Sequence, residues 1–90
     1  MAYEIDFSNK TIKFLHKMSK TDDELVTNLL RTIKEIKNNP YEYKKMKGKL
    51  KGTRREKCGD YCILFETNKE DNIINILGTG KRNTIYRKRQ

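Results

Sequence analysis

RREKCGDYCILFETNKEDNIINIL, residues 54–77, is the stretch whose reading decides the fold. It divides into three candidate strands, Arg54–Cys58, Tyr61–Thr67 and Asn72–Leu77, of which the last two are dense in aliphatic and aromatic side chains. Gly59-Asp60 between the first pair is a two-residue hairpin signal, and a looser turn fits the same spacing. Asn68–Asp71 (NKED) is a polar turn between the second pair. Turns this short join antiparallel neighbours, so the segment reads as a three-stranded antiparallel unit.

Working toward the N-terminus, the pattern changes period. Tyr3–Phe7 (YEIDF) alternates apolar and acidic residues, as a strand with one buried face does. Ser8 offers an N-cap, and Ile12, Leu15 and Met18, widened by Phe14, follow at helical spacing. Thr21 and Glu24 match a capping box for a second helix, and acidic residues 22–24 suit its positive end. Leu25, Val26, Leu29, Leu30, Ile33 and Ile36 give that helix an apolar stripe, and it should stop near Asn38, before Asn39-Pro40. A short Ser19-Lys20 link makes the pair a helical hairpin. Residues 41–53 read as an extended basic connection, Gly78 and Gly80 as breaks ending the last strand, and 81–90 as a basic tail. The expected fold is α+β, one domain over residues 1–90. A helical hairpin packs on one face of a mostly antiparallel sheet in the order strand-helix-helix-strand-strand-strand. The other sheet face is left to carry charge.

Composition bounds the function. Hydrophobic residues make up 34% and charged residues 37%, so the core is undersized and a partner is expected to add stability. There is no run of eighteen apolar residues, and the N-terminus lacks the apolar region of a signal peptide. The expected location is the cytoplasm, with no membrane contact and with thiols kept reduced. The net charge is +9, and it is uneven: residues 41–57 hold 8 basic and 2 acidic residues, and residues 79–90 hold 5 basic and none acidic. Two basic segments that meet in space would attract nucleic acid through its phosphates.

Cys58 and Cys62 are the only cysteines and His16 the only histidine. A structural zinc site needs four ligands, so these residues do not make one unaided. On a continuous strand the two thiols would share a face too far apart for a disulfide, and a turn at Gly59-Asp60 would bring them nearer. They read as ordinary thiols, and His16 as a surface residue. GTGKR at 78–82 lacks the spacing of a phosphate-binding loop. What remains is a basic and aromatic set: Arg55 and Lys57 on one strand face, Lys49 and Lys51 before them, Arg82 and Tyr86 near the end. Such a set binds phosphates. It can also cleave RNA, whose 2′-hydroxyl supplies the nucleophile, by stabilising the phosphorane and moving protons. Binding and catalysis both stand at this point.

The stretches MAYEIDFSNKTIKFLHKM (1–18), KLKG (49–52), GDYCILFE (59–66) and GTGKRNTIY (78–86) resemble, in order and spacing, the motifs of the RelE/ParE superfamily of type II toxins. The resemblance covers almost the whole chain. It implies a RelE-like endoribonuclease that needs no metal or other cofactor and cuts translated mRNA in the ribosomal A site. It also implies a cognate RelB-like antitoxin that blocks the toxin, with operator DNA bound only through their complex. Carried over by position, Arg82 stabilises the phosphate, Tyr86 stacks on or activates the substrate, and Arg55 and Lys57 supply proton transfer and stabilisation. Lys49, Lys51, Arg54, Lys81 and Arg87 are expected to contact RNA, with Arg54 a possible substitute for Arg55 or Lys57. Thr53 falls where some active members have lysine. Cys62 falls where the family pattern GDYR has arginine, and a thiol cannot make a bidentate phosphate contact. The superfamily also contains ParE-like proteins that act by binding DNA gyrase, and a basic RNA-binding module without toxicity is a third reading.

Overall fold

The computed structural model describes residues 3–46 and 52–81. Strand β1 (Glu4–Phe7) leads into helices α1 (Asn9–Ser19) and α2 (Asp23–Asn38), then a single 3-10 turn at Pro40–Glu42. Strands β2 (Lys44–Lys45), β3 (Arg54–Cys58), β4 (Tyr61–Asn68) and β5 (Ile73–Lys81) follow. The sheet order is β1-β5-β4-β3-β2, with β1 parallel to β5 and the other pairs antiparallel. The expected α+β arrangement is therefore present, with one strand more than the sequence pattern gave. Lys44 and Lys45, in the segment read as a connection, pair with Arg55 and Arg54. Among the described residues no helix is long and apolar enough to cross a membrane.

One core holds the two layers together. Leu29, Ile33 and Ile36 of α2 pack on Ile63 and Phe65 of β4 and Ile74 and Ile76 of β5, all of them buried. The spacing of three and four residues along α2 and of two along each strand puts these side chains on facing surfaces. Phe14, Leu15 and Leu25 close the sides.

The N-cap of α1 is also a weld between helix and sheet. The Ser8 hydroxyl accepts from the Thr11 amide at 3.1 Å, as a cap should. It also donates to the Leu77 carbonyl at 3.1 Å, while the Ser8 amide donates to the Ile76 carbonyl at 3.0 Å. Leu77 lies at a bulge, because Phe65 pairs with Ile76 while Leu64 pairs with Gly78. Its carbonyl is thus turned out of the ladder and taken by Ser8. Ser8→Ala removes the cap acceptor and that donor together, and should lower stability by about 1–2 kcal/mol. A urea titration checks this: the midpoint should fall with the slope unchanged.

Two local expectations are corrected. The cap of α2 is Asp22, not Thr21: the Asp22 carboxylate accepts from the Leu25 amide at 3.1 Å. Thr21 is spent on closing α1, where its amide and that of Asp22 both donate to the Met18 carbonyl. The cap therefore moves one residue along. Nor do Gly78 and Gly80 end the last strand, which runs to Lys81. The two glycines are paired opposite Leu64 and Cys62 on the neighbouring strand, and ladder formation overrides their weak strand preference.

Candidate nucleic-acid interface

The turn at 59–60 sets the geometry of the site. Gly59 takes φ 61° and Asp60 keeps a negative φ, the pattern of a tight hairpin with glycine in its first central position. Cys58 then pairs with Tyr61 and Lys57 with Cys62. Facing residues share a side of the sheet and neighbours alternate. Cys58 and Tyr61 accordingly join the core beneath the helices, whereas Cys62 and Leu64 form a second apolar cluster with Met46 and Leu77 on the opposite face. The turn thus parts the two thiols rather than bringing them together. Neither forms a disulfide, since the two lie on opposite sides of the sheet. Among the described residues no three His, Cys, Asp or Glu side chains gather closely enough to hold a metal ion. His16 is exposed on α1, as expected.

The helix-free face carries the cations. Arg55 is opposite Leu64 and Lys57 opposite Cys62, so both project there, two residues and about 6.7 Å apart along the strand. Lys44 is opposite Arg55 on the short edge strand and joins them. This third cation was missed in the sequence, where its only signal was the alternation in YEYKK (41–45). Under the centre of the same face the side chains are neutral and buried. Cys62 is 0% and Leu64 1% exposed, and Thr53, two residues before Arg55, is 5% exposed. The two positions at which the family resemblance leads one to expect a cation therefore hold small buried side chains here.

Arg54 and Lys81 go elsewhere. Arg54 is opposite Phe65, on the helix side of the sheet. Its guanidinium donates to the Tyr43 carbonyl at 2.8 Å and the Tyr41 carbonyl at 3.4 Å and lies 5.2 Å from the Tyr41 ring centroid. That side chain is occupied in holding the 41–43 segment against the sheet and does not stand beside Arg55 and Lys57. Lys81 is exposed at the end of β5, opposite Tyr61 and on the helix side. Lys49, Lys51, Arg82, Tyr86 and Arg87 lie outside the described residues.

At the outer edge, β2 pairs with β3 over only two residues, and the chain before Lys44 splays away. The fork is a groove of about 590 Å³ lined by Glu42, Tyr43, Lys44, Arg55, Glu56 and Lys57. With no strand partner at this point, the Lys57 amide is satisfied by the Glu56 carboxylate at 2.9 Å. The Tyr43 ring packs edge-on against Phe65 at 5.8 Å. Burial raises the ionisation of its hydroxyl above the ordinary tyrosine range, and the carboxylates of Glu56, Glu35 and Glu42 act in the same direction. Tyr43 therefore stays a neutral hydroxyl.

Comparison with known proteins agrees with this architecture. The family model described as the ParE toxin of the type II toxin–antitoxin system, parDE, matches residues 5–86. A Methanocaldococcus jannaschii protein that carries the toxin name RelE4 is 25% identical over 89 residues, covering 98% of this chain and 95% of that protein. The RelBE2 toxin–antitoxin complex of Mycobacterium tuberculosis contains a similar chain, with TM-score 0.78 and 20% identity over 91% of this chain and 100% of that one. In the archaeal RelE–RelB complex of Pyrococcus horikoshii the values are 0.71, 21%, 91% and 97%. At these identities the solved structures speak for the fold.

Proposed function

The chain belongs to the ParE toxin family of type II toxin–antitoxin systems, and from that premise we propose that it is a ribosome-dependent endoribonuclease that cuts translated mRNA. The observation that carries the proposal is the grouping of Lys44, Arg55 and Lys57 on the helix-free face of the sheet. Arg55 and Lys57 at strand spacing neutralise successive phosphates of a single strand, Lys44 adds a charge across from Arg55, and the same charges stabilise a phosphorane. In this reading the RNA's own 2′-hydroxyl attacks the adjacent phosphate. Arg82 and Tyr86, assigned by family position, complete the site from the segment that follows β5. The neutralising partner is an antitoxin of RelB type, as in the solved complexes of similar fold. Operator DNA is then bound only through that complex.

A second reading has an observation of its own. Thr53 and Cys62, at positions where the family resemblance leads one to expect a lysine and an arginine, are small and buried instead, and a ParE-like toxin that acts by binding DNA gyrase needs no such cations. One experiment separates them. The purified chain is added to translating ribosomes and, in parallel, to gyrase with relaxed plasmid. New message ends mapped by primer extension, lost or reduced about ten-fold or more in the Arg55→Ala/Lys57→Ala double variant, support the nuclease. Intact message with supercoiling blocked rejects it in favour of the gyrase reading.

A further inference from the structure

Strand β2 is short for the cation it carries. It meets β3 through the pairs Lys44–Arg55 and Lys45–Arg54, extended by the Met46 amide, which donates to the Thr53 carbonyl at 2.9 Å. So short a ladder at a sheet edge is marginal without other support. Lys44 nevertheless owes its place across from Arg55 to that ladder.

Arg54 supplies the support from the opposite face. The ladder stops before Tyr43, whose carbonyl must be satisfied elsewhere. The Arg54 guanidinium donates to it at 2.8 Å and, through the same nitrogen, to the Tyr41 carbonyl at 3.4 Å. It also lies over the Tyr41 ring, 5.2 Å from the centroid, and the Tyr3 ring meets Tyr41 edge-on at 6.4 Å. Arg54 thus grips the chain at the residue just before Lys44 and again at Tyr41. A planar guanidinium can bond and stack at once, whereas a lysine ammonium is a point charge without a stacking plane. Arg54 is opposite Phe65 on the helix side, while Lys44, Arg55 and Lys57 face the other way, so it cannot share a phosphate with them. We propose that Arg54 is a positioning residue for the RNA face: by holding Tyr41 and Tyr43 it keeps Lys44 in register with Arg55, and it reaches no phosphate itself. This rests on the reading of the helix-free face as an RNA site and adds a residue on the far side of the sheet that shapes it.

The test uses the full-length chain and a single-stranded RNA of about ten nucleotides, 2′-O-methylated so that it cannot be cut. Affinity is measured across a salt series, and hydrogen exchange of the Met46 and Ile74 amides is followed in the free protein. Arg54→Lys keeps the charge, so a direct phosphate contact would keep the salt slope. The expected result is instead a slope lower by about 0.7, the value of one lost contact to a single strand. Lys44→Ala should lower it by the same amount, and the double variant should fall no further. Met46 exchange should rise about ten-fold in Arg54→Lys while that of Ile74 is unchanged. An unchanged slope, additive losses in the double variant, or unchanged Met46 exchange overturns the role of Arg54. Equal acceleration at Ile74 also overturns it, because the loss is then of the whole fold. A wild-type chain that does not bind the RNA overturns the RNA reading of the face, and a selective rise at Met46 then still supports Arg54 as the residue that sets Lys44.

Discussion

Phe65→Ala is expected to lower the melting temperature by about 15 °C or more. Phe65 is 0% exposed and stands where both layers meet, against α2 below and the Tyr43 ring beside it. Truncating a buried phenylalanine costs about 3–5 kcal/mol, from lost transfer energy and the cavity left behind. A domain of this length has only about 5–13 kcal/mol in all. The same change frees Tyr43, and with it one wall of the fork groove. Circular dichroism melts of wild type and variant give the measurement. A fall below about 5 °C would show that another residue anchors the layers.

Cys62→Arg is the second large effect, and its direction is the less obvious one. From the family pattern alone it restores an arginine and should raise cleavage. In this fold the position is 0% exposed, packed with Leu64, Met46 and Leu77, and directly opposite Lys57. An arginine here overfills a packed site and sets a second cation across from an existing one. The expected result is a loss on the order of 3 kcal/mol, a Tm lower by roughly 10 °C or more, and no gain of cleavage on translating ribosomes. The isosteric Cys62→Ser serves as control, with a smaller loss from burying a hydroxyl. Higher cleavage with an unchanged melt would overturn this account and show that the face opens to admit the side chain.

Much of the fold was legible because it rests on short-range rules. Strand and helix periods, the Ser8 cap and the Gly59-Asp60 turn are each set by a few adjacent residues. The errors fell where elements compete for the same backbone groups. Thr21 looked like a cap until α1 took its amide, and Gly78 and Gly80 looked like breakers until β4 paired them. For the candidate site residues, only the sheet face each one joins can be compared. Arg55 and Lys57 share a face by simple alternation, whereas Arg54 was grouped with them although its partners, the Tyr41 and Tyr43 carbonyls, lie more than ten residues away in sequence.

By itself the sequence determined the order of the two helices and of four of the five strands, the helical hairpin, the basic segments and the family motifs, because propensity, period and charge are local properties. Only the tertiary structure decided which face each side chain joined. A hairpin with two residues in its turn pairs Cys58 with Tyr61 and so sends Cys62 through to the other side. It also brought Lys44 beside Arg55 and opened the fork where β2 leaves β3. Register across strands depends on which turn forms and on what the sheet must bury, and both are settled by packing rather than by any one segment.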